Sequence, residues 1–140
     1  MLIFTHLGPR SRVQRFLAPR PVISERDLSG LVNVDGWHRA GVIAFAGSPA
    51  APVGAAHYVR SDEPELAETA IEVVENWQRR GIGRLLIDEL RRHALTTGIC
   101  RFEWFAFGSH LAVATLARDF GDHRRIHIGG GVVKCSAAIR

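Results

Sequence analysis

Residues 73–84, which read Val-Val-Glu-Asn-Trp-Gln-Arg-Arg-Gly-Ile-Gly-Arg, constrain the fold of this chain more than any other stretch. An apolar run rich in β-branched residues leads into them. Beyond them Ile82, Leu85, Leu86, Leu90 and Ala94 recur at the spacing of one helical face. The pattern predicts a tight strand-to-helix turn over 78–83. The first turn of such a helix has N–H groups without intrahelical partners and the positive end of the dipole, which together make an anion seat. Gly81 and Gly83 carry no Cβ where a phosphate would approach the backbone, and Arg79, Arg80 and Arg84 add positive charge. The turn therefore reads as a seat for a pyrophosphate. The competing reading is a glycine-softened helix start with an arginine-rich exposed face.

Two common phosphate motifs do not fit. A P-loop requires Lys-Ser/Thr after its last glycine, where this chain has Arg84. A dinucleotide fingerprint requires a third glycine where Leu86 stands. What remains is Gln-x-x-Gly-x-Gly between a strand and a helix.

At 140 residues, with 46% hydrophobic and 23% charged residues, the chain suits one soluble globular domain spanning 1–140. No apolar run is long enough to span a membrane, and residues 1–4 are too short for a signal-peptide core. Cys100 and Cys135 have neither metal-binding nor redox spacing. A cytoplasmic location is expected. The net charge is +4, and every basic residue except Lys134 is arginine. These arginines are dispersed rather than run together, so nucleic acid is not an expected partner.

Taken in order, 9–17 reads as a helix with Pro9 near its start, ended by Pro19 and Pro21. A second helix begins at Ser24 with a capping pattern and stops near Gly36. Strands are predicted over 37–46, 52–60 and 66–75, then the turn, then a helix over about 81–97 stopped by Gly98. An aromatic strand follows over 99–107, and Ser109 caps a further helix running to Gly121. Two short strands, about 123–128 and 132–139, close the chain around three glycines. The strand–helix–strand order predicts a parallel crossover between 66–75 and 99–107.

The Gln78-x-x-Gly81-x-Gly83 turn, with this succession of elements around it, resembles the GNAT acetyltransferase family over nearly the whole chain. Residues 10–17, Leu28, Val34-Asp35 and Ala67-Glu68 more narrowly resemble the acetyltransferase domains of bacterial Pat-type protein lysine acetyltransferases. The resemblance implies an α/β (α+β) GNAT fold. Its central sheet is mixed and mostly antiparallel, with a parallel crossover at the CoA site and helices on both faces. It implies acetyl-CoA as acetyl donor, with the amides of the turn on its pyrophosphate and contacts from Gln78, Arg79, Arg80, Gly81, Ile82, Gly83 and Arg84. The main chain of Ile71, Glu72 and Val73 would pair with the pantetheine arm as an added strand. The family's first strand, which precedes the helix at Pro9, is mostly missing here.

Acetyl transfer from a thioester to an amine needs a base for the ammonium, a donor for the carbonyl oxygen and stabilisation of the departing thiolate. Several family members place a glutamate base on the strand before the turn, and Glu68 matches that place. Glu72 is the alternative, on the same strand face ~13 Å away. Glu103, on the next strand, is a third carboxylate. Where the family commonly has an asparagine touching the cofactor, this chain has His110. Where many members have a tyrosine as general acid it has Ala117, so no acid for the thiolate is evident unless Ser109 or His110 serves, and the thiolate can leave unprotonated. His123 and His127 fall on a predicted strand, too far apart to share a metal ion, and no metal site is expected. The function expected is acetyl-CoA-dependent N-acetylation of an amine, with a protein lysine as acceptor. The alternatives are a small-molecule amine as acceptor, or a CoA-binding module without turnover.

Overall fold

The computed structural model describes residues 2–5, 35–107, 120 and 123–139. The helices expected over 9–17 and from Ser24, the further helix from Ser109, and the candidates His110 and Ala117 lie outside the described residues. Among the described residues seven strands form one sheet: β1 (Leu2–Thr5), β2 (Arg39–Ala46), β3 (Ala51–Arg60), β4 (Leu66–Val73), β5 (Arg101–Phe107), β6 (His123–Gly129) and β7 (Val132–Ala138). Their order across the sheet is β1-β2-β3-β4-β5-β7-β6. Every neighbouring pair is antiparallel except β4 and β5, which are parallel. The crossover between those two holds α1 (Ile82–Thr96), the one α-helix among the described residues. The apolar start supplies a strand of 4 residues along β2.

Strand alternation sorts the sheet into two faces. Ala40, Val42, Ala56, Tyr58, Ala67 and Phe102 share the face covered by α1, which buries Leu86, Leu90 and Ala94 against it. Small residues dominate that face because the helix lies close to the strands. A Cβ on Gly54 would come within 2.9 Å of Leu86 Cδ1 and 3.2 Å of Ile82 Cγ2. The other face carries His57, Glu68, Glu72 and Glu103.

Chemistry fixes both ends of α1. Gly81 caps its start in the left-handed region, at φ 84°. At its end Gly98, at φ 86°, donates to Leu95 O while Ile99 donates to Ala94 O, a Schellman stop. The Arg60 guanidinium then donates to Thr97 O at 2.7 Å, placing a cation on the negative end of the dipole. Tyr58 is buried beneath this end, and burial raises its pKa.

Several sequence-based bounds shift for local reasons. The helical face was expected to include Leu85, which is 54% exposed. Ile87 takes its place, so the buried arc centres on Leu90 and Leu85 points away. The strand expected from Trp37 begins at Arg39, because Asp35 Oδ1 accepts from the N–H groups of Trp37, His38 and Arg39 and bends the chain there. The strand expected to reach Glu75 stops at Val73, and Glu75–Trp77 forms a 3-10 turn.

Asp35 also pairs with His38 Nδ1 at 2.8 Å. That hydrogen bond, with those from the three amides, holds its carboxyl well below its ordinary pKa of 3.8. A depressed folded-state pKa stabilises the fold above the unfolded value and loses that contribution as pH falls through the folded one. Thermal melts should therefore show Asp35→Asn less stable than the parent protein by a constant margin from neutral pH to about pH 4. The margin should close below that. A margin independent of pH down to pH 2 would contradict the assignment.

Candidate active site

The site is built where β4 ends. Val74 is buried, and its N–H donates to Val53 O in β3 at 2.8 Å. Main-chain groups alternate along a strand, so those of Ile71 and Val73 point to the opposite side, toward β5. Glu72 O, by contrast, lies close to β3, within 3.2 Å of where a Gly54 Cβ would sit. Of the three residues expected to pair with a pantetheine arm, the main chain of two therefore faces β5 and that of Glu72 does not.

On the β5 side the strands part. Pairing between β4 and β5 runs only from Leu66 with Arg101 to Glu68 with Glu103. Thr69 Oγ1 donates to Glu103 O at 3.2 Å and closes the base of the fork. Beyond Thr69, four residues of β4 continue without a β5 partner among the described residues. An open strand edge of this kind accepts an extended ligand with amide groups.

The turn closes the far end of this gap. Gln78 Nε2 donates back to Val73 O at 3.0 Å, so its side chain braces the turn. Arg79 at φ 61° and Gly81 at φ 84° both adopt positive φ. No side chain caps the start of α1, and no acidic residue lies in its first turn. Above Gly81 the space is open: a Cβ there would meet nothing within 4 Å. Glycine is needed at 81 for its backbone angle. Arg79, Arg80 and Arg84 are exposed around the seat, with the Arg80 guanidinium 4.8 Å from the Trp77 ring centre. An uncapped helix start beneath open space and cationic side chains fits a pyrophosphate group. The same region places Ile82 and Gly83, both half-buried, in the first turn.

The carboxylates sit on the face away from α1. Glu68 is half-buried at the base of the fork and is the register partner of Glu103. Lys134 Nζ lies 3.7 Å from Glu103 Oε2 and offsets the charge of that neighbour. Both carboxylate oxygens of Glu72 are buried. The structure adds His57, 3% exposed, which pairs in register with Ala70 between the two glutamates. Its parity within a predicted strand was the available signal, but only the β3–β4 register brings it to this face. No group of three or more His, Cys, Asp or Glu side chains among the described residues could hold a metal ion. No helix among them is long and apolar enough to cross a membrane.

Residues 12–122 match the model of the acetyltransferase (GNAT) family. No curated protein matches the chain. Among solved structures, the GNAT domain of S. lividans PAT is 22% identical, with a TM-score of 0.69 over 86% of this chain and 72% of that one. The cAMP-binding acyltransferase from Mycobacterium smegmatis is also 22% identical, with a TM-score of 0.67. That match covers 84% of this chain but only 36% of the other. The ribosomal-protein-alanine N-acetyltransferase from Brucella melitensis is 19% identical, with a TM-score of 0.60 over 71% of this chain and 68% of that one. At these identities the structural likeness speaks for the fold, and the family model speaks for descent. The chain belongs to the acetyltransferase (GNAT) family of N-acetyltransferases.

Proposed function

We propose that this protein transfers an acetyl group from acetyl-CoA to an amine of a protein, most specifically a lysine side chain. The observation that carries the reading is the fork between β4 and β5, with the uncapped turn at one end and Glu68 at its base. Bound acetyl-CoA supplies an activated acyl carbon and a thiolate leaving group. The first turn of α1 and its arginines hold the pyrophosphate. The main-chain groups of Ile71 and Val73 line the gap and hold the thioester arm in register. Glu68 takes the proton of the incoming ammonium, directly or through a water, and so makes the amine a nucleophile. Glu72 and Glu103 share its face, and the three carboxylates favour a cationic acceptor over a neutral one.

A protein acceptor is supported by the similar fold of the ribosomal-protein-alanine N-acetyltransferase, which acts on a protein. The test is release of free thiol from acetyl-CoA against lysine-rich peptides, peptides with a free N-terminal alanine, and small amines. Turnover is expected to be fastest on the lysine peptides. Preference for a small amine would move the acceptor class. Binding of acetyl-CoA without turnover on any acceptor would make the chain a CoA-binding module.

A further inference from the structure

Trp104 follows Glu103, the last β5 residue paired with β4, and so is the first residue of β5 beyond the fork. Its side chain lies on the face that carries Phe102 and α1, and it is 3% exposed. Its indole Nε1 is buried and has no hydrogen-bond partner among the described residues. The indole N–H is a donor only, and leaving such a donor unmade in the interior is costly. The Phe120 ring packs T-shaped against it at 6.4 Å and supplies no oxygen acceptor. Across the strand its register partner is Cys135, whose thiol burial keeps protonated and which accepts only weakly. The first β5 residue past the fork thus carries a desolvated donor with no acceptor among the described residues.

We propose that the Trp104 indole N–H donates to a carbonyl oxygen of the acyl-pantetheine arm, making Trp104 a further binding residue of the acyl donor. This rests on the reading that the gap between β4 and β5 receives that arm. The arm offers two amide carbonyls and the thioester carbonyl, besides one hydroxyl, as acceptors, and entering the gap would bring its carbonyls alongside Ile71, Val73 and Trp104. Donation from an already ordered indole requires no loss of side-chain freedom on binding.

The experiment follows the indole N–H signals of 15N-labelled protein, with Trp37, Trp77 and Trp104 assigned by single Trp→Phe variants. The two ligands are acetyl-CoA and adenosine 3′,5′-bisphosphate, which has the adenosine, the 3′-phosphate and one phosphate of the pyrophosphate but not the arm. The Trp77 signal, beside the turn, reports occupation of the phosphate seat by either ligand. The Trp104 signal should move downfield and exchange more slowly with acetyl-CoA alone. Trp104→Phe should bind acetyl-CoA about tenfold more weakly by calorimetry, with affinity for the bisphosphate unchanged. A moving Trp77 signal with a static Trp104 signal at saturating acetyl-CoA would overturn this assignment alone. So would equal weakening of both ligands in a folded Trp104→Phe. Failure of the parent protein to bind either ligand would overturn the acetyl-CoA reading, and the proposal with it. The titration uses the parent protein, so it decides the matter even where the variant does not fold.

Discussion

Gly83→Val is expected to weaken acetyl-CoA binding by at least about a hundredfold while leaving the protein folded. Gly83 lies in the first turn of α1, where no side chain caps the helix and no acidic residue competes for its amides. A phosphate held there receives charge-assisted hydrogen bonds, each of about 1.5–3 kcal/mol. A branched side chain at 83 would stand in the phosphate's approach, and the loss of two such bonds corresponds to about a hundredfold or more. Valine is tolerated in a helix as well as glycine is, so thermal stability should change little. Gly81→Ala makes the contrasting case. Nothing lies within 4 Å of a Cβ there, but the backbone is left-handed at φ 84°. Its cost should fall first on folding, by about 1–2 kcal/mol. Single loss of Arg79 or Arg80 should matter less than Gly83→Val, since each is an exposed charge. Calorimetry with a parallel melt separates these effects. Unchanged affinity in folded Gly83→Val would remove the turn from the site.

How much of this could be read from the chain depends on which interactions are local. The strand, turn and helix from Leu66 to Thr96 were legible because period-two and helical apolar patterns meet at a glycine pair. The Gly98 stop was legible for the same reason, since a left-handed residue after an apolar helix has few alternatives. Leu85 was misplaced because Ile87 lies one position beyond the expected stripe, and only packing on the sheet decides where the buried arc is centred. The delayed start of β2 depends on which amides the Asp35 carboxylate chooses, which propensity does not encode. The resemblance implied an added strand along 71–73, but where the fork begins was beyond reach of the residue pattern. Whether β4 and β5 stay paired after Glu68 is a matter of register and twist between segments separated by a whole helix. The same dependence hid His57 and the orphaned indole of Trp104, since each gains its meaning from strands distant in sequence.

Glu68→Gln should lower kcat by about 10²- to 10⁴-fold, the usual contribution of a general base, while acetyl-CoA affinity barely changes. Glutamine keeps the shape of the side chain but cannot take a proton. Glu68 is suited to the role by position. It is the last β4 residue paired with β5, so it stands at the base of the gap, on the face away from α1. An amine arriving from that face would meet the carboxylate before it met the acyl carbon. Glu103 beside it lies 3.7 Å from Lys134 and the oxygens of Glu72 are buried, while Glu68 stands on β4 itself at the base of the fork. The defect should shrink as pH rises toward about 10, because more of a lysine acceptor is then already deprotonated. Gly83→Val, by contrast, should show no such recovery, because it acts on donor binding. Glu72→Gln is the control for the strand face: a larger loss there would transfer the role to Glu72. Near-normal kcat in both variants on a verified acceptor would end the carboxylate-base mechanism and leave the amine to lose its proton to solvent.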